Sequence, residues 1–375
     1  MPLKRISALL LAAICFLCCA CGGKEAEIYD SVSIWCSSEL SSLADALRLT
    51  AEEYNAQRKD GLLPVTVRCF DDEASFAAAF DSIRPDFMLC SYLKAAELSE
   101  RGGLTDISRD LRGTVIYSGP LEIQITNAGS SFFPIGSDTL MLLMNPSCFE
   151  HGAPKSLEAL VSQAQQFSTL YSVPFLSADS YAHVFFSSML QSGEEFHALE
   201  DKDIWNEEYK YIYNLLGEAA FSGALAADVR SGREAVENGE LPCAVVFSSE
   251  LAGIDPGYLI SPLPDIDGAS SIRWVNTYGL ASIGRSDMRR ESAAAFISWF
   301  NSEGRASRLA LKSGLVPAAA SLPGWDNCPL SNSLVRVYTG YSLYLPSGGS
   351  DFIQNLDEFD IRIRQAYAIL GRSLN

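Results

Sequence analysis

Apolar positions along this chain follow two spacings. VSIW (Val32–Trp35) is a short run of strand formers, and the residues after it place Leu40, Leu43, Leu47, Ala51 and Tyr54 at helical spacing. LPVTVRCF (63–70) reads as a second strand, DEASFAAAFDSI (72–83) as a short helix and PDFMLC (Pro85–Cys90) as a third strand. The helix that opens at Tyr92 meets a stop signal at Gly102 and Gly103. Three successive strand–helix pairs predict a parallel sheet with helices on both faces. In such sheets ligands gather outside the C-terminal strand ends. Those ends carry Trp35, Ser37, Ser38 and Glu39 after the first strand, and Ser91 and Tyr92 after the third.

Further along, Pro134 and Gly136 interrupt the pattern before TLMLLMN (139–145), a strand. Pro154 opens a helix with Leu157, Leu160, Val161, Ala164 and Phe167 on its apolar side. YKYIYNLLGEAAFSG (209–223) is a helix, and LPCAVVFSS (241–249) is an apolar strand ending in small polar residues. RWVNTYGLASIG (273–284) reads as one strand whose alternation puts Trp274, Asn276 and Tyr278 on one face. A helix follows at 289–304, then a turn-rich stretch at 311–325. A last helix from Phe352 to about Leu370 carries Leu356, Phe359, Ile363 and Tyr367. No short-period repeat or low-complexity tract is present.

The N-terminus changes the picture. Lys4 and Arg5 precede an uncharged run, Ile6–Cys19, which has signal-peptide length and is short for a membrane span of about 20 residues. The small residue Ala20 stands before Cys21, with Gly22 and Gly23 after it. This resembles the lipobox of bacterial lipoproteins, in which the leader is cut before a cysteine that then receives lipid. Residue 18 is Cys where that pattern prefers Leu. The resemblance implies a signal peptide over 1–20, lipidation of Cys21 and a tether to residue 30; an uncleaved N-terminal anchor is the alternative. Cys15, Cys18, Cys19 and Cys21 fall in this segment. Cys36, Cys69, Cys90, Cys148, Cys243 and Cys328 show no C-x-x-C pair and no compact framework spacing, and are expected to be mostly free thiols.

About 355 residues after such a leader is long for one core, so two lobes are expected. Apolar residues make up 48% of the chain, enough for sizeable cores. The net charge of −18 disfavours nucleic acid and anionic lipid surfaces as partners. Membrane attachment therefore rests on the lipid alone.

Several segments together resemble the extracellular solute-binding proteins of the sugar type (family 1), the external receptor subunits of ABC importers. They are RPDFMLCSYLKAAELSERGGLTDIS, FFPIGSDTLMLLMNPSCFEHGAPKSLEAL, GELPCAVVFSSELAGI and GLASIGRSDMRRESAAAFISWFNSEGRASRLALKSGLVPAAASL. Asn145 keeps the asparagine of that family's hinge-crossing segment, while Met144 stands in place of its usual aromatic. The resemblance covers essentially the whole chain after the leader. It implies an α/β fold: a two-lobe periplasmic-binding-protein clamshell of type II, each lobe a mainly parallel sheet flanked by helices. Lobe 1 would span 31–135 with 279–315 returning, and lobe 2 would span 136–278 with 316–375 returning. The ligand would lie between the lobes, and closure would be a hinge motion.

Sugars present CH faces and hydroxyls, so a sugar receptor wants flat aromatics and short polar side chains. Besides the strand-end residues above, Ser137 and Asp138 at the first crossing are candidates, as are Asp179, Tyr181 and His183 in SADSYAHVFF. Ser248 and Ser249 after the apolar strand, Trp274, Asn276 and Tyr278, and Trp325 in a Pro/Gly turn complete the set. Core packing and helix capping remain open as alternative roles for Trp35, Ser37, Ser91, Tyr92, Tyr181 and Trp274. No G-x-S-x-G, H-E-x-x-H or P-loop occurs, and His151, His183 and His197 fit no metal spacing. The expected protein is therefore no enzyme and takes no cofactor and no metal. It is a monomeric, lipid-anchored, extracytoplasmic receptor that binds a small solute, a sugar or oligosaccharide, and hands it to ABC permease subunits. A ligand-sensing lipoprotein signalling to a membrane sensor is the alternative, and an exported glycoside hydrolase a more remote one.

Overall fold

A computed structural model describes residues 30–107, 110–111, 131–191, 207–226, 229, 231–284, 287–318, 328–344 and 349–372. The leader, Cys21, its tether and Trp325 lie outside the described residues. In chain order the elements are β1 (Val32–Cys36), α1 (Ser41–Gln57), β2 (Val65–Cys69), α2 (Glu73–Ser82), β3 (Phe87–Ser91), α3 (Tyr92–Glu100), β4 (Phe132–Asp138) and β5 (Leu140–Met144). Then come α4 (Leu157–Tyr171), β6 (Leu176–Ala178), α5 (Tyr181–Gln191), α6 (Glu207–Phe221), α7 (Gly232–Glu237), β7 (Cys243–Phe247) and β8 (Leu259–Pro262). The chain ends with β9 (Ile272–Trp274), β10 (Asn276–Ser282), α8 (Asp287–Asn301), α9 (Arg305–Lys312), β11 (Val316–Pro317), α10 (Pro329–Gly340), β12 (Ser342–Tyr344) and α11 (Gly349–Arg372).

The chain forms two compact units. The first comprises the described parts of 1–89, 104–114 and 280–299. Its sheet has β1 between β3 and β2, both parallel to it. β1 is buried along its whole length, which is why it reads as an unbroken apolar run rather than an alternating one. Tyr54 of α1 meets Phe296 and Trp299 of α8 edge-on, at 5.3 Å to each ring centroid. Buried Asp86 accepts from Ser33 N (2.8 Å) and Ser33 Oγ (3.1 Å) and pairs with Arg289 at 3.4 Å. This polar pin fixes the entry of β3 beside β1.

The second unit comprises the described parts of 90–103, 115–279 and 300–375. It holds a four-stranded sheet of order β6-β7-β5-β8. β7 runs parallel to β6, whereas β5 is antiparallel to both β7 and β8, so this sheet is mixed. β5 follows β4 after Thr139 alone. Its core joins Leu142, Leu160, Phe175, Tyr181, Phe185, Val245 and Tyr367. α4 begins at Leu157, capped by Ser156, whose Oγ accepts from Ala159 N (3.2 Å); Pro154 lies ahead of the helix. The stretch expected as one strand at 273–284 is two: β9 pairs in parallel with β12, the chain breaks at Val275, and β10 continues in a separate sheet beside β4 and β11. Val275 N donates to Tyr344 O (3.1 Å), a partner too distant in sequence for a local pattern to reveal.

Candidate functional site

The strand exits of the second unit bring polar side chains together. Leu140 of β5 stands opposite Phe247 of β7, so the residues before one strand face the residues after the other. Asp138, the last residue of β4, is buried there. It accepts from Ser248 Oγ (2.8 Å), Ser249 N (3.0 Å) and Ser249 Oγ (2.5 Å). Ser248 N donates to Thr139 O (2.8 Å), which completes the stitch. Burial raises the Asp138 carboxyl above its ordinary range, and the hydrogen bonds from Ser249 and Ser248 work against that rise. Gly314 lets the stitch form: its φ is +72°, and a Cβ there would sit 2.3 Å from Ser248 O.

Two more carboxyls adjoin. Asp179 leaves β6 and accepts from Gly232 N (2.8 Å) at the start of α7. Its Oδ2 is buried. Burial raises its carboxyl. Glu250, in the turn after β7, hydrogen-bonds to Asp179; desolvation, the Asp179 charge and that hydrogen bond push its carboxyl up to about 8. The Asp138 charge acts on Glu250 in the same direction. Three acidic groups therefore share one neighbourhood, and the carboxyl of each is raised above its ordinary range.

His183 of α5 sits in a second polar line. Its Nε2 lies 3.3 Å from Asn276 Nδ2, and its Nδ1 lies 2.8 Å from Ser180 Oγ. Ser180 Oγ in turn donates to Asp360 Oδ1 (3.1 Å). Burial lowers the His183 pKa to about 4, so the ring is neutral at pH 7. The amide donor of Asn276 then assigns Nε2 as acceptor and Nδ1–H as donor. Phe247 packs edge-on to this ring at 4.9 Å. Arg364 of α11 donates to Asp360 Oδ2 (2.9 Å), Ala178 O (3.0 Å) and Asp179 O, which ties the last helix to the exit of β6.

The remaining sequence candidates divide by burial. Trp274 is buried among Ala182, Phe186 and Leu356, with Tyr344 5.9 Å away. Tyr181 is buried edge-on to Tyr367 at 5.6 Å, beneath the Arg364 guanidinium. Ser137 is buried and shares a hydrogen bond with Thr277 (2.7 Å). Asn276 and Tyr278 are half-buried on β10. Ser91 caps α3, accepting from Lys94 N (3.3 Å), and half-buried Tyr92 meets Phe132 edge-on at 5.8 Å. In the first unit, Trp35 is buried edge-on to Phe70 at 5.1 Å, with the Arg68 guanidinium 5.7 Å from its ring. Ser37 is half-buried and makes no side-chain cap bond, while Ser38 and Glu39 are exposed in a single 3-10 turn. Glu250, Asp360 and Arg364 were not singled out in the sequence. Glu250 carried one usable signal, its place directly after the serine pair that ends β7.

Among the described residues no group of three or more His, Cys, Asp or Glu is placed to hold a metal ion, and no helix is long and apolar enough to cross a membrane. No family model and no curated protein matches the chain. Solved structures do. The cyclic alpha-maltosyl-1,6-maltose binding protein of Arthrobacter globiformis aligns over 92% of this chain and 96% of its own, with a TM-score of 0.71 and 15% identity. The sugar-binding protein MalE of Xanthomonas citri aligns over 92% and 96%, at 0.69 and 13%. The GacH receptor of Streptomyces glaucescens, solved also with acarbose, aligns over 92% and 94%, at 0.67 and 16%. The chain has the α/β fold of these solute-binding proteins. That fold is the one implied by the segments RPDFMLCSYL and FFPIGSDTLMLLMN.

Proposed function

We propose that this protein is an extracytoplasmic receptor for a small carbohydrate, serving an ABC importer. The observation that carries the reading is the fold match over 92% of the chain to sugar-binding proteins, at a TM-score of 0.71. The strand exits of the second unit supply chemistry that suits such a solute. Asp179, Glu250, Ser249 and Asn276 offer carboxylate, hydroxyl and amide groups for sugar hydroxyls, and Tyr278 offers a half-buried ring for a CH face. Ser37, Ser38 and Glu39 offer similar groups in the first unit, and Ser91 and Tyr92 stand at the exit of β3. Trp35, Ser137, Tyr181 and Trp274 shape these exits from the core side. Trp325 remains a proposed stacking platform. The N-terminal segment supports attachment by a lipid on Cys21. Permease subunits would take the solute from the liganded receptor.

A thermal-shift panel tests the reading. Ligand binding to the folded state alone stabilises by about 2.7 kcal/mol at a hundredfold excess over Kd. The expected outcome is a raised melting temperature with one class of neutral sugar, maltodextrins being the first probes. A shift with amino acids or polyamines and none with sugars would overturn the solute class.

A further inference from the structure

The two strands at the edge of the first unit's sheet end side by side on cysteines. β1 and β2 are parallel and in register from Val32 opposite Val65 to Cys36 opposite Cys69. In-register neighbours on adjacent strands have Cα atoms about 4.8 Å apart and side chains on the same face. That separation lies within the roughly 4.4–6.8 Å that a disulfide spans. The hydrogen bonds of the two thiols cross between the strands. Cys36 Sγ donates to Arg68 O (3.7 Å) and Cys69 Sγ to Ser37 O (3.4 Å). Both cysteines are free, Cys36 fully buried and Cys69 partly exposed. Trp35, Arg68 and Phe70 occupy the opposite face, so nothing in that aromatic cluster needs to move for the sulfurs to meet.

We propose that Cys36 and Cys69 form a redox-active pair that closes to a cross-strand disulfide on exchange with a small-molecule disulfide. The exposed partner acts first. The Cys69 thiolate attacks one sulfur of the oxidant, the S–S bond breaks, and one thiolate leaves with the electron pair. Cys36 then loses its proton to solvent and attacks Cys69 Sγ, forming the new bond and expelling the second thiolate. Two protein thiols are oxidised and one disulfide is reduced to two thiols. Burial and the neighbouring Cys69 thiol push the Cys36 thiol up, so closure is the slow step and quickens as pH rises. The closed pair pins the exit of β1, from which Ser37, Ser38 and Glu39 emerge. The remaining four described cysteines lack such an in-register partner: Cys243, for one, stands opposite Met144 and Leu176.

The test supplies the oxidant, so it does not depend on the solute or the compartment proposed above. The purified, fully reduced protein is incubated with glutathione disulfide, quenched with an alkylating reagent, unfolded, and mapped by peptide mass spectrometry. The expected result is a linked peptide joining Cys36 to Cys69, at least about tenfold more abundant than any other pairing of the described cysteines, since this pair stands in register on adjacent strands. Its formation quickens with pH. C69S, a change at a half-exposed edge position, removes the linked peptide and leaves Cys36 alkylated only after unfolding. Persistence of a glutathione adduct on Cys69 with Cys36 unlinked, recovery of both cysteines as alkylated thiols, or equal yields of several pairings would each overturn the proposal. If C69S perturbs the fold, the wild-type map still decides it.

Discussion

Asp138 shows how a single buried carboxylate organises its surroundings. It accepts three hydrogen bonds from two successive serines and ends the strand that precedes β5. Removing it leaves two hydroxyls and a backbone N–H without their partner in a closed space. D138A is therefore expected to cost about 2–3 kcal/mol, read as a lowered urea midpoint at unchanged slope. The carboxyls beside it predict a pH dependence. Asp138, Asp179 and Glu250 all titrate higher in the folded chain than in the unfolded one. A raised carboxyl favours the folded state while it is protonated and loses that contribution as pH climbs through its folded value. Melting temperature should thus rise as pH falls from above 8 toward about 6.5, below which the buried neutral His183 works the other way, and E250Q should flatten the slope. A melting temperature that falls steadily over that window would contradict the raised carboxyls. Glu250 was hard to read in the sequence because an exposed glutamate after a turn has no periodic signature. Asp138 stands out in the sequence because the change from strand to crossing isolates it, but its burial against Ser248 and Ser249 does not.

At the scale of elements, close approach and long-range pairing decide what the chain pattern leaves open. Gly314 holds a positive φ where α9 turns into β11, against the backbone of Ser248. G314A combines a left-handed backbone with a collision and should destabilise by roughly 2 kcal/mol or more. Calorimetric melting reads this, and a neutral result would mean that the β7 exit adjusts freely. β9 is held by Arg273, fully buried, paired with Asp265 at 2.5 Å, donating to Leu263 O and lying 4.2 Å from the Tyr341 ring centre. R273A leaves Asp265 without that cation and should cost about 3 kcal/mol in urea denaturation. Helices and strands of the first unit were legible because each is a short apolar run or a single helical period with a clear stop. The β9–β10 break was not, since apolar alternation runs straight through Val275 and only Tyr344 interrupts it. The same limit applies to Trp274, whose burial depends on Phe186 and Leu356 far away in sequence. An aromatic at a strand end looks alike whether it faces a solute or a core.

For the whole molecule, the fold and the order of its segments point the same way. The strongly acidic chain, at −18, disfavours anionic surfaces as partners and leaves the choice of solute to the side chains at the strand exits. Recognition by hydroxyl hydrogen bonds and ring contacts would be nearly insensitive to salt, unlike binding driven by opposite charge. Isothermal titration calorimetry of the purified protein with maltose, maltotetraose and other neutral oligosaccharides tests the central claim most directly. The account predicts saturable binding of one solute per chain, little changed between low and high salt, and weakened about tenfold or more by D179N, the loss expected for one hydrogen bond to a charged group. Absence of heat with every sugar, or binding that D179N leaves intact and salt abolishes, would contradict a carbohydrate receptor built on these strand exits.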